Sequence, residues 1–228
     1  MGADTLLTRL RKALRKVADP AKAGAMQAYM KSAMPYHGVQ TPLFRQVCRE
    51  VFSEVSFDSA SQWREQVLSL WRNARFREER YAALFLSGDK RALEFQTPSA
   101  VKMYEEFVTT GAWWDYVDTI ASNSLGPILR NYPAPMRRKM LAWSECNDLW
   151  KRRCSIICQL GFKGQTDLEL LYACIEPSLG SREFFLQKAI GWALRQYART
   201  NPTEVRRYVQ LYESRLSALS RREALKHL

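Results

Sequence analysis

The sequence predicts an all-α fold on three observations. Apolar residues recur with the helical period along nearly the whole chain, and helix-start signals precede many of these stretches. No alternating β-branched run bounded by hairpin turns occurs. Leu6, Leu7, Leu10, Leu14 and Val17 line one face of a first helix, which Asp19-Pro20 ends. Met26, Tyr29, Met30 and Met34 form the apolar side of a second. Gly38 to Pro42 reads as a turn, with Thr41 as N-cap and Pro42 at the first helical position, and Phe44, Val47, Cys48 and Val51 continue helically. Further helices are expected at about 59–74, 76–87, 98–110, 112–131, 134–145, 148–161, 166–177, 181–199, 202–214 and 218–227. Thr97-Pro98, Thr166 before Asp167, Ser181 with Glu183, and Asn201-Pro202 supply start signals.

Helices of this length joined by short turns predict stacked antiparallel pairs, an α-solenoid of degenerate HEAT-like repeats in which each pair buries its apolar face on the next. A compact helical bundle is the competing all-α arrangement. No linker rich in Pro, Gly or Ser divides residues 1–228, so a single domain is expected.

The charge balance narrows the partners. Lys and Arg number 35 against 23 Asp and Glu, a net charge of +12. Residues 1–114 hold 17 basic and 12 acidic groups and residues 115–228 hold 18 and 11, so the excess is spread along the fold rather than carried on a tail. A distributed excess suits a long surface facing a polyanion, and equally a basic protein with no such partner. The five cysteines are odd in number and without zinc-type spacing, which points to free thiols in a reducing cytosol. Cys154 and Cys158 lie one helical turn apart and, with only His37 and His227 in the chain, read as core thiols rather than a metal site. Thr8-Arg9-Leu10-Arg11-Lys12 interrupts the early apolar run, arguing against a signal peptide, and no stretch reaches the ~20 apolar residues of a membrane span.

Three stretches break the amphipathic pattern. On the helix expected at about 181–199, Leu186, Ala189, Ile190, Ala193 and Tyr197 make the core face, while Lys188, Trp192, Arg195 and Arg199 fall together opposite it. Such a strip is a stacking platform among phosphate-binding cations, a snorkelling surface patch with an incidental Trp, or the seat of a Trp covered by a neighbouring helix. On 148–161, Arg153 falls inside the apolar arc of Leu149, Trp150, Cys154, Ile156, Ile157 and Leu160, while Lys151, Arg152, Ser155 and Gln159 make the polar side. A buried guanidinium must meet either an internal carboxylate or an external anion such as phosphate. In Trp113-Trp114-Asp115-Tyr116-Val117-Asp118, Trp114 and Asp118 stand at i and i+4 and can border one small cavity. Asp118 there either stabilises a developing cation and activates a water, or accepts hydrogen bonds from a neighbouring helix end. No P-loop, zinc spacing, or Ser/His/Asp or Cys/His arrangement appears.

The runs Trp113 to Asp118, Phe184-Phe185-Leu186-Gln187-Lys188-Ala189-Ile190-Gly191-Trp192-Ala193-Leu194-Arg195 and Gly38 to Pro42 closely resemble the AlkD family of alkylpurine DNA glycosylases. Ala28-Tyr29-Met30-Lys31 and the closing Ser220 to His227 match as well, so the resemblance spans nearly the whole chain. It implies a HEAT-like solenoid holding duplex DNA, and hydrolysis of the N-glycosidic bond of N3- and N7-alkylated purines without base flipping. It places the catalytic aspartate at Asp118, sugar-contacting tryptophans at Trp114 and Trp192, an active-site arginine at Arg153, and further DNA contacts at Arg195 and Tyr29. The resemblance departs at Gly161, where the family carries a lysine; Lys163 stands close by. A monomer without metal or cofactor is expected, and two other readings remain open: a non-catalytic solenoid binding distorted or branched DNA, and a HEAT-type protein scaffold.

Overall fold

The computed structural model describes residues 5–228, and among them every regular element is helical: fourteen α-helices with short 3-10 turns and no strand, an order compatible with an α-solenoid. The chain divides into two compact units, one ending at Phe95 and one running from Gln96 to Leu228.

The first unit holds α1 (Leu6–Lys16), α2 (Pro20–Met30), α3 (Thr41–Phe52), α4 (Ala60–Arg72) and α5 (Arg77–Ser87). Leu10 and Leu14 of α1, Phe44, Val47 and Cys48 of α3, and Trp63, Val67, Leu70 and Trp71 of α4 form its buried apolar faces. The second helix differs from the expected amphipathic one. Lys31 adopts a left-handed conformation with φ 48° and its amide donates to Ala28 O, closing α2 before Met34. Of its apolar side only Met30 is buried, and Tyr29 is 77% exposed. α3 also begins one residue early: Phe44 N–H donates to Gln40 O, so Gln40 is the N-cap and Thr41 the first helical residue.

The turn before α3 is fixed by two carboxylates of α5. Glu78, 1% exposed, accepts from the amides of His37 (3.0 Å), Gly38 (2.9 Å) and Val39 (3.2 Å). Glu79 accepts from Arg11 Nε (3.0 Å) and Nη2 (3.1 Å) and from the Arg75 amide (2.7 Å), with His37 Nε2 at 3.7 Å. Burial raises its carboxyl, but His37, Arg11 and the Arg75 amide outweigh that and bring it down to about 2. Gly38 sits at φ 83°, and a Cβ there would run into the Asp19 carbonyl. Gly38→Ala should therefore cost about 2–4 kcal/mol in urea unfolding, since neither the φ nor the space accepts a side chain. A loss under about 1 kcal/mol would mean the turn relaxes freely.

The second unit holds α6 (Val101–Gly111), α7 (Trp114–Ile120), α8 (Gly126–Asn131), α9 (Pro133–Glu145), α10 (Leu149–Ile157), α11 (Leu168–Ile175), α12 (Phe184–Ala198), α13 (Pro202–Leu211) and α14 (Ala218–Ala224). The single helix expected at 112–131 is broken by a π-helical segment, Ala121–Leu125. Gly126 N–H reaches back five residues to Ala121 O, and Pro127 has no amide to restore the α-helical ladder. Gly126 also lets this stretch approach α10, because a Cβ there would stand 2.5 Å from Cys158 O.

α10 is the hub of this unit, packing against α6, α7, α9, α11 and α12. Asp148 caps it, accepting from the Trp150 amide (2.9 Å) and the Lys151 amide (2.8 Å). Its expected polar side is not solvated throughout, since Ser155 and Gln159 are buried. Gln159 Nε2 donates to Asp167 O (3.0 Å) and Gln159 Oε1 accepts from the Asp167 amide (2.8 Å), tying α10 to the start of α11. All five cysteines carry free thiols, and burial pushes those of Cys154 and Cys158 far above their ordinary range, which removes them as thiolate nucleophiles.

Candidate functional site

Arg153 is the point around which the site is built. Its side chain is 5% exposed, and Asp118 of α7 meets it in a bidentate pair: Nε donates to Oδ1 at 2.7 Å and Nη2 to Oδ2 at 2.8 Å. Nη1 donates to Phe185 O at the start of α12, at 2.6 Å. One guanidinium thus joins three helices. The sequence left its anion open between an internal carboxylate and a phosphate; in the structure the anion is Asp118. A packed aromatic group backs the pair. Trp150 and Phe185 have ring centroids 4.9 Å apart, Trp113 lies 5.5 Å from Phe185, and Arg153 Cζ is 5.9 Å from the Phe185 ring.

The Asp118 side chain keeps 17% exposure, so the carboxylate sits at an edge and is not sealed in. Burial pushes its carboxyl above the usual range; the Arg153 hydrogen bonds and charge oppose this, and Asp115 adds to the rise. Fork-to-fork pairing of this kind favours the anion and fixes its orientation. A carboxylate has about four lone-pair directions, and Arg153 takes two of them. The Asp118 backbone carbonyl is also occupied, accepting from Ser122 Oγ at 2.6 Å where the π-helical segment begins. The carboxylate is therefore rigidly aimed, with capacity left for a water or a cation.

Trp114 opens α7 one turn before Asp118 and is half-buried. Trp192 is half-buried on α12, seven residues beyond Phe185, which places it about 10 Å further along the same helical face. The strip beside it is arranged differently from the sequence reading. The α12 side opposite the core face is open only in part, because α14 packs beside it at Gly191, while Trp192 keeps partial exposure. Lys188 Nζ lies 3.0 Å from Glu223 Oε1, and Arg195 Nη1 donates to Glu223 Oε2. Arg199 stands exposed at the C-terminal end of α12. Tyr29 belongs to the first unit, exposed on α2.

Glu223 and the Phe185 carbonyl are the participants that residue patterns did not mark. A carbonyl contact leaves no trace in side-chain periodicity. For Glu223 a signal existed: Gly191 interrupts an otherwise strong helical run at a cost of about 1 kcal/mol relative to Ala, which marks a close helix approach. A cavity of about 260 Å³ lies at the C-terminal ends of α10 and α12, with Gly161, Lys163, Tyr197 and Arg199 in its wall, and the wall does not include Trp114, Asp118, Arg153 or Trp192. Among the described residues no cluster of three or more His, Cys, Asp or Glu could hold a metal, and no helix is long and apolar enough to cross a membrane.

The model of one protein family, described as DNA alkylation repair enzyme, matches residues 10–228. Among solved structures, that of a predicted DNA alkylation repair enzyme from Enterococcus faecalis superposes with a TM-score of 0.83 at 28% identity, covering 92% of this chain and 96% of the other. No curated protein sequence matches the chain.

Proposed function

The chain belongs to the DNA alkylation repair enzyme family, and on that premise we propose that it is a DNA N-glycosylase releasing N3- and N7-alkylated purines from duplex DNA without flipping the base. The observation that carries this reading is the Asp118 carboxylate, held by Arg153 at a partly open edge one helical turn from Trp114. An alkylated cationic purine departs as a neutral base, so the leaving group needs no general acid. The remaining burden is the oxocarbenium-like sugar, as in glycoside hydrolysis. Asp118 faces that charge as a fixed anion and orients the attacking water with a lone pair that Arg153 leaves free. The indole faces of Trp114 and Trp192 add cation–π stabilisation of the sugar. In this reading Arg153 orients Asp118 and faces a flanking phosphate with its remaining N–H groups, while Lys188, Arg195, Arg199 and Tyr29 contact the duplex backbone.

Duplex DNA carrying N-methylpurines tests the reading, with free 7-methylguanine and 3-methyladenine as the readout. Release is expected; an absence of both bases at enzyme excess sinks the glycosylase reading and leaves the non-catalytic DNA-binding one. Trp192→Ala should depress release more than it depresses binding of undamaged duplex. Arg199→Ala should mainly weaken binding and flatten its log–log salt slope by about 0.9. Equal loss of binding in both variants would argue against a sugar-facing Trp192.

A further inference from the structure

Two of the cations expected to meet DNA do not stand free on α12. Lys188 and Arg195 both end on one carboxylate, Glu223 of α14, whose side chain is only 13% exposed. The contact is built into the fold. A Cβ at Gly191 would come within 2.5 Å of Glu223 Cβ and 2.9 Å of Ser220 O, so only glycine lets α14 lie this close. Ser220 Oγ donates to Gln187 O at 2.9 Å and pins the same crossing. Ser217 caps α14 at its start, accepting from the Ser220 amide at 3.0 Å. The two cations stand four residues before and three residues after Trp192, so they bracket the indole on one helical face. Lys188 and, against the opposing effect of burial, Arg195 hold the Glu223 carboxyl below its usual range, keeping it ionised.

We propose that Glu223 is a positioning residue for the DNA-facing strip, holding Lys188 and Arg195 fixed about Trp192 and suppressing their attraction to undamaged backbone. The inference rests on the reading of this face as a DNA contact. A carboxylate bridging two cations leaves a single net charge where the sequence suggests two. It also removes the freedom of two long side chains to chase phosphates. Affinity for any duplex falls, while the geometry around Trp192 is set in advance, at no entropic cost during binding. A phosphate seated here must share the cations with Glu223, which favours only contacts that match their fixed positions.

The test is Glu223→Gln, read by binding of undamaged duplex across a salt series and by single-turnover base release. Binding should tighten about threefold to tenfold at 50 mM salt, and the salt slope should steepen by about one, as a released cation neutralises a phosphate. The single-turnover rate at saturation should fall while half-saturation moves to lower enzyme concentration. Glu223→Asp, which keeps the charge, should return the slope to within about 0.3 of wild type. Unchanged or weaker binding by a folded Glu223→Gln overturns the proposal. Should Glu223→Gln fail to fold, Glu223→Asp decides: its carboxylate, one methylene shorter, cannot hold both cations in place, so a single-turnover rate below wild type supports the proposal, and a wild-type rate overturns it. If wild type binds duplex but releases no base, the glycosylase reading fails while the binding measurements still judge Glu223.

Discussion

Asp118→Asn is expected to lower base release by at least about 10²–10³-fold while leaving duplex binding intact. The substitution is nearly isosteric, so the edge position on α7 is retained. What disappears is the anion that faces the developing sugar cation and orients the water. The amide also sets an N–H against an Arg153 N–H, where Asp118 now accepts both (2.7 and 2.8 Å). The guanidinium then turns outward or stays unsatisfied, and binding of undamaged duplex should hold or rise slightly. Release and binding thus move apart, which a merely unfolded variant cannot imitate. Release at the wild-type rate by Asp118→Asn would remove the aspartate from the chemistry.

Arg153→Met carries the second large effect, on both stability and pH dependence. Arg153 is buried while Asp118 keeps partial exposure, so removing the arginine strands a part-solvated carboxylate, at a cost below the ~3–5 kcal/mol of a fully buried pair. Release should also become more sensitive to acid. Burial raises the Asp118 carboxyl, with Asp115 adding to the rise, and Arg153 is the group that opposes them. Taking Arg153 away leaves only the raising influences, so the acidic limb of the pH–rate profile moves to higher pH. Lysine should not rescue the variant, because a single ammonium cannot span both carboxylate oxygens and the Phe185 carbonyl. Full activity, with an unmoved acidic limb, in Arg153→Lys would show that the planar fork is not needed.

The two effects differ in kind. Asp118→Asn removes an interaction that matters in the transition state, whereas Arg153→Met removes the support that keeps the carboxylate charged and aimed. Both melting curves should shift down, since each variant strands the other member of the pair; the pH–rate profile separates the roles, because only Arg153→Met leaves the carboxylate in place with its acidic limb moved.

Several parts of the site were legible in the chain because they follow from helix geometry alone. Trp114 and Asp118 sit at i and i+4, and any helix over that stretch places them on adjoining turns. Arg153 interrupts an apolar arc, and the cost of a bare buried charge requires a partner, which the structure supplies. The partner's identity was not legible. Asp118 lies 35 residues away, and no local rule brings α7 and α10 together. The break at Ala121–Leu125 was likewise invisible to periodicity, although Pro127 and the close approach at Gly126 account for it. Phasing along α12 groups Lys188, Trp192, Arg195 and Arg199 but leaves open whether a neighbouring helix covers them, because phasing sees a helix without its neighbours. α14 packs against α12 at Gly191, beside the strip, and brings Glu223 between Lys188 and Arg195.

The sequence by itself determined that this chain is helical, basic along its whole length, and provided with a tryptophan–carboxylate edge and a buried arginine. These are properties of a residue and its neighbours within a turn or two, which the helical period sets. Only the tertiary structure decided which charge meets which: Arg153 on Asp118, and Lys188 with Arg195 on Glu223. Pairing across helices depends on how closely two backbones approach, and that is settled by packing at positions such as Gly126 and Gly191, far in sequence from the charges they bring together.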